Sequence, residues 1–185
     1  FVLCSNQFWI HKNHKLLLEA VALLRKSGRD IHLVCTGETS DFRRADYFGT
    51  IQKLIIDLGI EDLVYIVGMI PRYDQIQLLR RSMFVVQPSL FEGLGLIVQE
   101  CQALGKCILL SNLDVHMEHD YGLYFDRHSA EDLAAKIELL LPIAEAGPDV
   151  RREREAKLVA YEMAQDYGRQ FCQMVEEAQM SLIHI

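Results

Sequence analysis

"FVVQPSLFEGLGLIVQE", residues 84–100, decides the fold. Its first part, through Ser89, is a short apolar run with the valine content and length of a buried strand. Gly93 and Gly95 then permit a tight turn, and Ile97, Cys101 and Leu104 follow on one helical face up to Gly105. A strand that passes through a glycine turn straight into a helix is one repeat of an alternating α/β chain. The acids Glu92 and Glu100 flank that turn, and two carboxylates beside a glycine-rich loop point to a bound ligand rather than to packing.

The same alternation runs outward in both directions. Strands are expected over 1–5, 31–37, 63–68, 83–89, 107–111 and 122–126, as near-continuous apolar runs covered on both faces. A helix with Leu16, Leu17, Ala20, Leu23 and Leu24 on one face should begin after an Asn13 N-cap and stop at Gly28. Ile51, Leu54, Ile55 and Leu58 mark a second, ended by Gly59, and a short one is expected around Asp74–Arg81. Ser129 and Asp132 have the spacing of a capping box ahead of another amphipathic run. From about Asp149 the pattern reads as one or two helices. Strands separated by helices need crossover connections and so pair in parallel. The expected fold class is therefore α/β, a doubly wound, Rossmann-like parallel sheet of about six strands, with residues 1–148 as the ligand-binding domain and 149–185 as C-terminal helices.

Composition narrows the function. The chain has 185 residues, half of them hydrophobic, and a net charge of −7. With no long run of like charge, an acidic chain argues against a nucleic-acid partner, which wants a basic face. No apolar run approaches the roughly 20 residues needed to span a bilayer. The five cysteines are odd in number and show no Cys-x-x-Cys spacing, so neither a disulfide framework nor a zinc site is indicated and a reducing, cytoplasmic setting is expected. His116 and His119 lack a third ligand and read as surface residues, with no metal. Arg151, Arg152 and Arg154 read as a solvated helix face, with an anionic membrane surface as the alternative. The start at Phe1, directly in an apolar run, reads as a fragment whose preceding part is missing.

In the common strand order 3-2-1-4-5-6, strands one and four are neighbours whose connections leave in opposite directions, and ligands bind in the crevice between them. The loops there are "NQFWIHKNH", residues 6–14, and "LFEGLGLIVQE", residues 90–100. Gly93 and Gly95 allow close backbone approach at a helix N-terminus, where free N–H groups favour an anion. Lys12 adds a positive charge from across the crevice. Together these make a phosphate or diphosphate cradle without a P-loop motif. Glu100 stands roughly 7–8 Å along the helix axis from Gly95, the separation of a diphosphate from a ribose, and a carboxylate can accept hydrogen bonds from neighbouring ribose hydroxyls. Glu92 would face whatever hangs from the far phosphate.

On "KNHKLLLEA" (12–20), "PSLFEGLGLIVQECQALGK" (88–106) and the order of elements, the chain resembles the C-terminal domain of a GT-B retaining glycosyltransferase of family four, the group 1 type. The resemblance covers nearly the whole chain. It implies one half of a GT-B fold, with Glu92 holding hydroxyls of the donor sugar, Glu100 the ribose, and Lys12 with the backbone of Gly93, Leu94, Gly95 and Leu96 the diphosphate. It places the base against the loop 68–73, through Met69, Ile70 and Arg72. The family commonly carries a basic residue near the end of strand one. Here the chain reads Ser5-Asn6-Gln7, so the amides of Asn6 and Gln7 stand in as donor ligands. The resemblance further implies a nucleotide-diphosphate sugar as donor substrate with no metal or other cofactor, and transfer with retention. The acceptor, a glycan or lipid-linked glycan, would be bound by the missing N-terminal domain. "NQFWIHKNH" is similar to bacterial members that build surface polysaccharides, which suggests a cytoplasmic enzyme at the inner face of a membrane, with peripheral membrane contact in the full protein. Two other readings stay open: a non-catalytic nucleotide-sugar binding module, and another user of the same fold such as a nucleotide-sugar epimerase or a phosphorylase.

Overall fold

The computed structural model describes residues 1–183. Six strands, β1 (Val2–Ser5), β2 (Leu33–Thr36), β3 (Val64–Gly68), β4 (Val85–Gln87), β5 (Ile108–Ser111) and β6 (Leu123–Phe125), form one sheet in the order β3-β2-β1-β4-β5-β6. Every pairing is parallel. The connecting helices are α1 (His14–Lys26), α2 (Tyr47–Leu58), α3 (Arg72–Arg81), α4 (Leu96–Ala103), α5 (Asp114–Met117) and α6 (Ala130–Leu140), and α7 (Val150–Ile183) ends the described chain. The doubly wound Rossmann-like fold and its strand order are those expected.

The strands are apolar up to their carboxyl ends because both faces are covered. Val2, Cys4, Leu33, Cys35, Val86 and Leu109 point into a core shared with α1, α2 and α6. Leu3, Val85, Ile108 and Leu110 point the other way, onto α3 and α4. Successive residues of a strand thus serve opposite cores. The edge strand β3 departs from this: Tyr65 and Val67 are about half exposed, since no helix covers that face at the border of the sheet.

Local chemistry explains the boundaries and several departures. Most strands are a residue or more shorter than their apolar runs, because burial continues into the loops after the ladder has ended. Gly28, Gly59 and Gly105 all take positive φ just past a helix, as expected of stops. Asn13 does not cap α1. Its backbone is left-handed (φ 55°), no side-chain cap bond forms, and its Nδ2 instead donates to the Arg127 carbonyl at 3.2 Å. Ser129 does cap α6, accepting from the Asp132 N–H at 3.0 Å, but the Asp132 carboxylate turns to the Asp126 N–H, so only half of a capping box is made. The α3 helix begins at Arg72, earlier than expected, because Pro71 (φ −56°, ψ 146°) breaks the chain direction immediately before it. The α5 turn was not anticipated.

The tail is a single helix. Its first turns are fastened to the domain: Arg80 makes a bidentate pair with Glu153 at 2.7 and 2.9 Å, and a Cβ on Gly105 would stand 2.9 Å from the Arg152 carbonyl, so only glycine lets α7 approach. From Lys157 to Gln179 every residue is exposed. Residues 184–185 of the expected terminal segment lie outside the described residues.

Candidate functional site

Because β1 and β4 are adjacent and their connections diverge, a crevice opens at their carboxyl ends. The loop after β1 is held along β2 by the Asn6 N–H on the Thr36 carbonyl (3.0 Å) and the Phe8 N–H on the Glu38 carbonyl (2.8 Å). A 3₁₀ turn over Ile10–Lys12 then folds it inward. The Leu90 N–H donates to the His11 carbonyl at 2.7 Å, which joins the two loops that line the crevice.

Lys12 and Glu92 meet at the bottom. Lys12 Nζ donates to Glu92 Oε1 at 2.7 Å, and the two side chains keep only 11% and 9% of their exposure. The same oxygen accepts from Ser89 Oγ at 2.6 Å and from Gln87 Nε2. Gln87 in turn accepts from Asn6 Nδ2 at 2.9 Å, so the end of β1, the end of β4 and the acid form one buried chain of hydrogen bonds. Burial pushes the Glu92 carboxyl up, but the bonds from Lys12, Ser89 and Gln87 and the lysine charge outweigh it and hold the group below its ordinary value. The acid is therefore ionised and already paired.

Above it lies the glycine turn. Gly95 is left-handed (φ 63°) and precedes α4 with no side-chain cap, which leaves the first N–H groups of the helix for a ligand. A Cβ on Gly95 would touch Val98, His119 and His116 at 3.4–3.8 Å, whereas one on Gly93 would meet nothing within 4 Å. The turn is thus supported from beneath and open toward the crevice. His116 is fully buried under it. Its Nδ1 lies 2.8 Å from the Ser111 carbonyl, and Nε2 has no partner. Burial lowers its proton affinity.

At the rim, Glu100 Oε1 accepts from Arg72 Nη1 at 2.6 Å, with side chains 17% and 61% exposed. Beside this pair, Ser5, Asn6, Gln7, Met69, Ile70 and Gln75 line a pocket of about 200 Å³. Ser5 Oγ accepts there from Gln75 Nε2 at 2.8 Å and from Thr36 Oγ1 at 2.9 Å. A Cβ on Gly37 (φ 131°) would stand 2.2 Å from the Asn6 carbonyl, so only glycine fits at this wall.

The fold therefore brings Lys12, Glu92 and the turn Gly93–Leu96 together, sets Glu100 against Arg72, and gathers Gln7, Met69 and Ile70 around one pocket. Two expectations change. Lys12 is not a free point charge but half of a buried pair. His116 is not a surface residue. Asn6 lines the same pocket, 6% exposed, with its Nδ2 on Gln87. Sequence reading also passed over Gln87, Ser89 and Ser111. Of these, Gln87 left a signal, a polar residue closing the apolar run "FVVQ" of β4. A larger apolar groove of about 810 Å³ runs between α4 and α7, with Gly105, Cys107, Gly122 and Leu123 in its lining; it lies at the opposite ends of the strands and gathers no comparable set of polar groups.

Comparison with known proteins identifies a family and a shared fold. The family model described as glycosyl transferases group 1 matches residues 1–155. The chain is 31% identical over 135 residues to a D-inositol 3-phosphate glycosyltransferase of Pseudarthrobacter chlorophenolicus, covering 70% of this chain and 31% of that protein. It is 27% identical over 192 residues to the GDP-mannose:cellobiosyl-diphosphopolyprenol alpha-mannosyltransferase of Komagataeibacter xylinus, covering 97% of this chain and 48% of that protein. The Anabaena protein HepE, crystallised in complex with UDP, superposes with a TM-score of 0.77 at 18% identity, over 96% of this chain and 49% of that one. The chain thus spans less than half the length of these relatives.

Proposed function

The chain belongs to the glycosyl transferases group 1 family, and from that premise we propose that it is the donor-binding half of a retaining glycosyltransferase. The observation that carries this reading is the pairing of Glu92 and Glu100 on either side of an uncapped helix N-terminus, with Lys12 at the inner acid. The diphosphate of a nucleotide sugar lies on the N–H groups of Gly93–Leu96, Glu100 receives the ribose hydroxyls, and the base enters the pocket beside Met69 and Ile70. Glu92 faces the sugar. During transfer, negative charge gathers on the departing diphosphate, and Lys12 with the helix N-terminus stabilises it where it forms, the kind of preorganised electrostatics that is worth several kcal/mol. No metal is needed for this step.

The relatives act in turn on a GDP-mannose donor with a lipid-linked acceptor and on an inositol phosphate, by their names. For this protein we infer a glycan or lipid-linked glycan acceptor, polysaccharide synthesis, and a cytoplasmic site at a membrane face. We infer that another domain binds the acceptor and that α7 packs against it through Tyr167, Phe171, Met174 and Val175, which are exposed here. The chain alone does not turn over.

Calorimetric titration with UDP, GDP and ADP, alone and as sugar conjugates, tests the reading. One base should bind selectively, and Glu100→Ala should weaken it by about 1–3 kcal/mol, the loss of charged hydrogen bonds. Equal binding by the variant would remove Glu100 from the site.

A further inference from the structure

Glu100, at the rim of the crevice, is only half paired. Its Oε1 accepts from Arg72, while Oε2 is buried with no hydrogen-bond partner. Buried polar atoms are nearly always paired, so this oxygen can accept from a ligand without giving up a partner within the protein. We propose that Arg72 is a diphosphate ligand that rests on Glu100 before the donor binds, and that donor binding exchanges partners: the ribose hydroxyls come onto Glu100 and the guanidinium moves to the diphosphate. This rests on the donor-site reading above and assigns Arg72 to phosphate rather than to the base.

Charge requires a second cation. Lys12 and Arg72 balance Glu92 and Glu100, and the diphosphate of a nucleotide sugar adds two negative charges. Lys12 is sunk in its pair with Glu92. The end of β1 supplies only the amides of Asn6 and Gln7. Arg43, near the same loop, is turned to Asp41 at 3.0 Å and lies over the Trp9 ring. That leaves Arg72.

Reach and energetics agree. Glu100 is four residues beyond Leu96, about 6 Å along the axis, so a guanidinium bonded to it stands within roughly one helical turn of the N–H groups that hold the anion. Arg72 is 61% exposed, and an ion pair with one partner in water contributes little net stability, so release costs little. Once Glu100 has turned to the ribose, the guanidinium is left beside two phosphates, whose oxygens match its planar fork.

The test compares a nucleoside diphosphate with its nucleoside, UDP with uridine and GDP with guanosine, by ligand-observed NMR on the full-length protein. Arg72→Gln should weaken the diphosphate about tenfold or more and leave the nucleoside within about twofold, because Glu100 is then free for the ribose. Arg72→Lys should recover most of the lost affinity. Equal weakening of diphosphate and nucleoside would place Arg72 on the base and overturn the exchange, as would no effect on either. Absence of binding by the unaltered protein, with Glu100→Ala no different, would instead remove the donor site itself, and the proposal with it.

Discussion

Two ion pairs cross the same crevice, and they are built differently. In each, a cation from one wall meets an acid of the β4–α4 segment. The inner pair, Lys12–Glu92, is about nine-tenths buried and its acid oxygen takes two further hydrogen bonds from Ser89 and Gln87. The outer pair, Arg72–Glu100, has an exposed arginine and an acid with one unpaired oxygen. Burial makes the inner pair part of the scaffold, since neither charge can be left alone away from water. Exposure makes the outer pair exchangeable. One crevice thus holds a fixed charge arrangement at the reacting end and a replaceable one at the nucleotide end.

Removing Lys12 should show the largest effect. Lys12→Ala leaves the Glu92 carboxylate buried and unpaired, a defect that costs about 3–5 kcal/mol when a buried pair is broken. Urea denaturation checks this, and adding Glu92→Gln should return a large part of the loss. A loss under about 1 kcal/mol would mean that the inner pair behaves like the outer one.

Acid should separate the pairs next. The folded Glu92 carboxyl sits below its ordinary value, so its contribution is fully present above the unfolded carboxylate range, near pH 4–5, and is lost as pH falls through the lower folded value. His116 acts earlier. Its folded form resists protonation, so its contribution is present above the unfolded histidine value, near 6.5, and declines as pH falls from there toward the lower folded value. Thermal unfolding across pH 7 to 3 should therefore weaken in two stages. His116→Phe should flatten the upper stage and leave the lower, whereas an unchanged upper stage would place the source elsewhere.

The smallest effect belongs to the rim. Arg72→Ala should change unfolding stability by less than about 1 kcal/mol, as for surface ion pairs. A larger loss would show that the outer pair is structural and could not serve as an exchangeable latch.

Much of this was legible without coordinates. Apolar runs and glycine stops gave the strands, the helices and their parallel pairing, because period and turn chemistry are local. The placement of Glu92, Gly93, Gly95 and Lys12 around one crevice followed once the strand order common to such sheets was assumed, since topology carries the ends of neighbouring strands together. Boundaries were less legible where a tertiary contact overrides a local preference. Asn13 abandons its cap for the Arg127 carbonyl, and Asp132 leaves Ser129 for the Asp126 N–H.

The amino-acid sequence by itself determined the fold class and the identity of the two acids, because hydrophobic periodicity, glycine positions and residue type are properties of neighbours along the chain, whereas the strand order was borrowed from the common doubly wound sheet and the tertiary structure supplied it. Only the tertiary structure decided that Gln87 links Asn6 to Glu92, that His116 lies buried beneath Gly95, and that each acid of the crevice already holds a cation. Those facts depend on groups up to 81 residues apart meeting in space, where whether a charge is held or free is set by burial and by the number of donors around it.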